Sequence, residues 1–134
     1  MPSKASRRDG GGTGFFAFDL SGVRMSPVVA DATGAVSSTT TMIFEQDGDL
    51  VSARYRGGGI LDGYLIGHLS AESVRFRYIQ AQDDGRLDVG MSNGRIDRLP
   101  DGRLRLIEHF EWQTRPGSGT NVFEELPPPH EPLG

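Results

Sequence analysis

From about Val36 to Leu126 apolar and polar residues alternate along the chain, and a turn bearing glycine interrupts the alternation every ten or so positions. A period of two puts successive side chains on opposite faces of a strand, and regularly spaced breaks fold such strands back on one another. The pattern predicts an all-β chain, an antiparallel up-and-down β-barrel of about eight strands. The expected strands are Val23 to Val29, Val36 to Gln46, Leu50 to Arg56, Ile60 to Leu69, Val74 to Gln82, Leu87 to Ile96, Arg103 to Gln113 and Thr120 to Leu126. Asp47-Gly48, Gly57-Gly58-Gly59, Asp83-Asp84-Gly85, Pro100-Asp101-Gly102 and Pro116-Gly117-Ser118-Gly119 supply the bends between them.

Residues 1–14 carry too little apolar surface to offset the entropy of ordering them and are expected to form a mobile tail. Residues 15–126 form the barrel domain. Residues 127–134 are rich in proline, which cannot donate to a sheet ladder, and mark its end. Phe15, Phe16 and Phe18 form an aromatic patch that plugs a barrel end or meets a second subunit in a homodimer.

Composition removes several kinds of chemistry. With no Cys among 134 residues, thiol catalysis, Cys-ligated zinc and iron–sulfur clusters are excluded. The one Lys, Lys4, lies in the tail, which argues against a Schiff base. A formal net charge of -4, with Arg interleaved among Asp and Glu, argues against nucleic-acid binding. No apolar run approaches the roughly 20 residues that span a bilayer, and no apolar stretch follows the basic N-terminus, so a cytoplasmic protein without membrane contact is expected. Gly10 to Gly14 lack the Lys-Ser/Thr of a phosphate loop. His68 and His109 have no second His at ligand spacing, and there is no nucleophile elbow, so neither a metal nor another cofactor is expected.

Alternation assigns faces. Phe76 and Tyr78, then Leu87 and Val89, then Leu104, Leu106, Phe110 and Trp112 share the parity expected inside, with Met42 and Phe44 continuing it on the second strand. The strand Ile60 to Leu69 is ambiguous, because Gly63 and Gly67 mark a bend or a close backbone approach. Parity places Glu108 inside, between Leu106 and Phe110. It is either paired there with a polar neighbour or is a carboxyl of raised pKa facing a cavity, able to exchange a proton or bond a ligand. Tyr78, and Asn93 if no bulge intervenes near Gly90, join Glu108 as the candidate catalytic groups. Trp112, Phe110, Phe76, Met91, Met42, Phe44, Tyr64 and Gln80 are the candidate ligand-binding residues. For Tyr78 and Trp112 a role as core filler stands beside the functional one.

Several stretches occur in the order found in a family of short bacterial proteins of unknown activity that often carry the label N-acetylglutamate synthase. They are Val36-Ser37-Ser38-Thr39-Thr40, Ala53-Arg54-Tyr55-Arg56-Gly57-Gly58, Gly63-Tyr64-Leu65-Ile66-Gly67, Arg77-Tyr78, Asp101 to Leu106, Glu108 to Thr114 and Glu124-Glu125. The chain resembles that family over about Ala35 to Leu126, departing from it at Ile107, Phe110 and Gly90-Met91-Ser92-Asn93-Gly94, on or beside the expected cavity. Nothing in it resembles the pyrophosphate-binding helix start that an acetyltransferase needs. The architecture resembles calycin-like barrels such as lipocalins and streptavidin, and is similar to small barrel cyclases that fold reactive polyketides without a cofactor.

Three functions fit these residues. The first is a cofactor-independent cyclase, in the pericyclase manner, that holds an apolar polyketide-like molecule in a reactive shape while Glu108, Tyr78 or Asn93 bonds a polarising carbonyl. The second is a barrel that binds an apolar metabolite without changing it. The third is a packed structural or dimerising barrel.

Overall fold

β-Branched and aromatic residues at every second position, bounded by residues that turn the chain, favour extended backbone with one face buried. The computed structural model, which describes residues 18–127, contains eight such strands. They are β1 (Arg24–Val29), β2 (Thr41–Asp47), β3 (Leu50–Gly57), β4 (Ile60–Ser70), β5 (Ser73–Gln82), β6 (Leu87–Arg98), β7 (Leu104–Trp112) and β8 (Ser118–Glu125). Each pairs antiparallel with the next, and β1 pairs with β8, closing the barrel in chain order. Closure removes the free edges of an open sheet, except where β1 beyond Met25 has no partner on β2. The expected architecture is the observed one. The tail at 1–14, Phe15, Phe16 and all of the proline-rich tail after Pro127 lie outside the described residues.

The seam between β1 and β2 is the shortest, paired only at Arg24↔Ile43 and Met25↔Met42. Beyond it β1 bulges between Pro27 and Val29, where a residue without a donor is tolerated. The segment Val36 to Thr40, expected as the start of the second strand, is instead loop. Thr40 N donates to Ser37 O and Ser37 N donates to Thr40 Oγ1, so hydroxyl chemistry turns the chain locally. Thr40 Oγ1 also donates to Gly57 O, tying the β1–β2 loop to the β3–β4 turn.

One end of the barrel is sealed by an apolar core of Leu20, Met25, Val51, Leu69, Ile96 and Phe123, each at most 2% exposed. Leu20, held through its N–H to Gln46 Oε1, is the plug. Phe18 packs beside it with Arg98 over its ring. The loops joining β1 to β2, β3 to β4, β5 to β6 and β7 to β8 gather at the opposite end.

The inward face of β6 corrects the parity read for that strand. Asp88, Gly90, Ser92, Gly94 and Ile96 point inward, while Leu87 is 60% exposed and Val89 faces out. Apolarity misled here because the inside of β6 must be small. Gly90 is in register with both Tyr78 and Trp112, and a Cβ on it would lie 2.3 Å from the Tyr78 hydroxyl. Gly63 makes the same allowance for the Tyr55 ring, and Gly67 for Phe76. These glycines are close approaches, one of the two roles expected for Gly63 and Gly67.

A methyl group at Gly67 would sit 1.9 Å from the Arg75 carbonyl oxygen and 2.5 Å from Phe76 Cβ, so backbone must move to admit it. Gly67→Ala is expected to lower stability by about 1–3 kcal/mol in urea denaturation. Gly59→Ala, whose nearest contact would be 3.7 Å, is expected to stay within about 0.5 kcal/mol of the parent.

Candidate ligand-binding site

Beneath the gathered loops the interior changes character. β7 contributes Glu108, Phe110 and Trp112 to the inner wall, β5 contributes Phe76, Tyr78 and Gln80, and β3 and β8 add Tyr55 and Asn121. Together with Gly34, Ala35 and Val36 of the β1–β2 loop, these residues surround a void of about 20 Å³. That space suits ordered water or a very small ligand and is far below the ~300–1,000 Å³ of sites that enclose drug-sized molecules.

Glu108 is 5% exposed, and neither of its oxygens is bare. Ser92 Oγ donates to Oε2 at 2.6 Å and Asn121 Nδ2 donates to Oε1 at 3.0 Å. Register explains the convergence, since Glu108 faces Gly94 on β6 and Asn121 on β8, which leaves Ser92 one inward position away. Burial pushes the Glu108 carboxyl above its usual range, and the two hydrogen bonds pull it partly back. Both phenols, Tyr55 and Tyr78, are pushed up by burial first and by the Glu108 carboxylate second, so they stay neutral. Tyr55 Oη donates to Gln80 Oε1 at 2.9 Å, and Gln80 Nε2 to Gln82 Oε1 at 3.1 Å.

The aromatic rings meet edge to face: Tyr78 with Trp112 at 5.6 Å and Phe110 with Trp112 at 5.7 Å between centroids. Trp112 Nε1 donates to Thr33 O at 3.1 Å, and Asn121 Oδ1 accepts from Asp31 N at 2.8 Å, so two site residues hold the β1–β2 loop down. At the rim the Arg115 guanidinium lies 4.2 Å over the Trp112 ring. Its Nε is 3.2 Å from Asp88 Oδ2, whose other oxygen accepts from Thr114 Oγ1.

The structure thus brings together Glu108, Tyr78, Trp112, Phe110, Phe76, Gln80 and Met42 around one void. Phe44 is buried nearer the sealed end, in register with Ala53. Asn93, Met91 and Tyr64 were expected to face the cavity and do not. Asn93 is exposed in register with Arg75 and His109, Met91 lies between Arg77 and Glu111 on the outer wall, and Tyr64 is 42% exposed. A shift of one residue turns a side chain to the other face, and Gly90, Ser92 and Gly94 take the inward positions of β6. His68 faces outward, bonded to Asp49, and His109 outward to Thr120. Among the described residues no three His, Asp or Glu side chains gather as metal ligands, and no helix is long and apolar enough to cross a membrane.

Ser92, Asn121, Tyr55, Asp88 and Arg115 were missed as site residues. The parity of β8 carried a signal for Asn121, two positions before buried Phe123, as did that of β3 for Tyr55, two after Ala53. Arg115 carried none, being in a loop.

A closed eight-stranded meander with one sealed end and a polar, aromatic-lined mouth defines a calycin-like barrel. A family model described as avidin-like protein matches residues 18–126, and the chain belongs to that family. No curated protein matches it. The family match accords with the likeness to streptavidin-type barrels and lends nothing to the N-acetylglutamate synthase label or to a bacterial origin.

Because native Glu108 holds its proton above the usual carboxylate value of 4.5, the folded state binds more protons than the unfolded one between that pH and its raised pKa. Stability from this group therefore falls as pH rises through that window and levels off above it. Gln at 108 can accept from Asn121 and donate to Ser92. Glu108→Gln is expected to match the parent in urea midpoint near pH 4.5 and to exceed it at pH of about 8. A variant less stable at every pH would mean an ionised Glu108 that the fold depends on.

Proposed function

We propose that this protein is a small-molecule-binding barrel that holds a compact ligand at its mouth, between Trp112 and Glu108 and beneath the β1–β2 loop. The observation that carries this reading is segregation. One half of the interior is apolar and filled, whereas the other retains a carboxyl, side-chain amides and two phenols around a residual void. A barrel needing only to be packed gains nothing from such groups, because burying them is costly unless each is bonded and apolar replacements are often neutral or better. Membership of the avidin-like family supports the same reading.

The ligand is smaller and more polar than the apolar metabolite expected from the sequence. A cyclase of a polyketide-like chain would need room for a long flexible substrate, and the void of about 20 Å³, with Asn93 and Met91 turned outward, gives that finer reading no support.

Trp112 is the sole tryptophan, so its fluorescence reports on the site without labelling. A set of polar fragments of a few heavy atoms is expected to include members that change its emission saturably and raise Tm. At a hundred times Kd the added stability is about 2.7 kcal/mol. If no fragment moves either signal, the mouth is packed and the protein is a structural barrel.

A further inference from the structure

We infer that the mouth is an aromatic cage for a small protonated amine, a ligand class that rests on the binding reading above and narrows it. Hydrogen-bond capacity sets the first constraint. The donors around the void are largely committed: Ser92 Oγ and one N–H of Asn121 to Glu108, Tyr55 Oη to Gln80, Trp112 Nε1 to the Thr33 carbonyl. The acceptors are not exhausted, since each Glu108 oxygen takes one side-chain bond and the Tyr55 oxygen keeps its lone pairs. The Tyr78 hydroxyl beside Ser92 can still donate, and the open acceptors favour an entrant that brings donors of its own. An ammonium brings three and no acceptor.

Charge sets the second. Among the described residues Glu108 is bonded by neutral groups alone and meets no Lys or Arg, so an arriving cation would favour its ionised form. The loops over it and the first two residues of β6 carry Asp31, Asp83, Asp84 and Asp88 against Arg86 and Arg115. Arg115 pairs with Asp88 and Arg86 lies 3.8 Å from Asp84, which leaves Asp31 and Asp83 in excess. An anion would face this field with no Lys or Arg at its floor among the described residues.

Rings set the third. Tyr55, Phe76, Tyr78, Phe110 and Trp112 line the void from the alternate strands β3, β5 and β7, and an aromatic face attracts a cation that has shed its water. Trp112 already does so on its rim side, where Arg115 stacks 4.2 Å from its centroid. Because Tyr55 and Tyr78 stay neutral, their rings add no further charge that the ligand must balance. The small void restricts the cation to a compact head such as a primary alkylammonium.

The test titrates the full chain with ethylammonium chloride, ethanol and sodium acetate at constant ionic strength, read by Trp112 fluorescence and by side-chain amide NMR shifts of Asn121 and Gln80. Ethylammonium is expected to bind at least about tenfold more tightly than ethanol, and acetate not at all. Glu108→Gln is expected to abolish that preference, bringing the dissociation constants of ethylammonium and ethanol to within about twofold of each other. Phe110→Leu, which keeps the carboxylate and removes a ring, is expected to weaken ethylammonium about threefold. Equal binding of ethanol and ethylammonium, tighter binding of acetate, or a preference that survives Glu108→Gln overturns the amine assignment while the binding reading stands. Silence from all three probes, together with silence from the wider fragment set, overturns both.

Discussion

An eight-stranded barrel has an interior just wide enough for side chains to fill, so each large residue on one strand must be met by a small one on its neighbour. Everything else in this protein depends on that allowance. Tyr55 lies across Gly63, Phe76 across Gly67, and Tyr78 across Gly90, and a Cβ on any of these glycines would overlap the ring or the backbone it faces. The concession is made mostly on β4 and β6, which is why the bulk of the inner wall comes from β3, β5 and β7. The rings of β5 and β7 thereby meet: Tyr78 and Phe110 each pack edge to face on Trp112, and Phe76 is tilted against Tyr78.

The same economy of space decides where polarity can be buried. At the sealed end Leu20 fills the axis and no polar group is required. At the mouth the small inward residues of β6 let Glu108 reach Ser92, and the antiparallel register of β7 with β8 delivers Asn121 to its other oxygen. From the inner wall Asn121 and Trp112 also hold the β1–β2 loop by its Asp31 amide and Thr33 carbonyl. On the proposed binding reading, a ligand that displaced either contact would loosen the loop above it. That loop crosses the seam where β1 and β2 share only two paired positions, the least reinforced part of the wall.

Much of this was legible before any coordinate. The number and order of strands, the turns, and the inward placement of Glu108, Phe110, Trp112, Tyr78 and Gln80 follow from a period of two and from turn chemistry. The failures share one cause. On β6 the apolar residues Leu87 and Val89 face outward while Asp88 goes inside, and the same reversal removes Asn93 and Met91 from the cavity and hides Ser92. Hydrophobicity is a guide to the inner face only where the interior has room for a hydrophobic side chain. Val36 to Thr40 failed differently, because local hydroxyl-to-backbone bonds there outcompete a β propensity.

By itself the chain determined its architecture, since alternation and turns are local properties and a meander of about eight strands has one economical way to close. It also determined that a carboxyl would be buried at position 108, because its neighbours of the same parity are Leu106 and Phe110. Only the tertiary structure decided what surrounds that carboxyl. Its partners Ser92 and Asn121 lie on two other strands, and the register that joins them is set by how rings and glycines interlock across the axis. The size of the remaining void is likewise a sum over side chains far apart in sequence, and no local pattern encodes it.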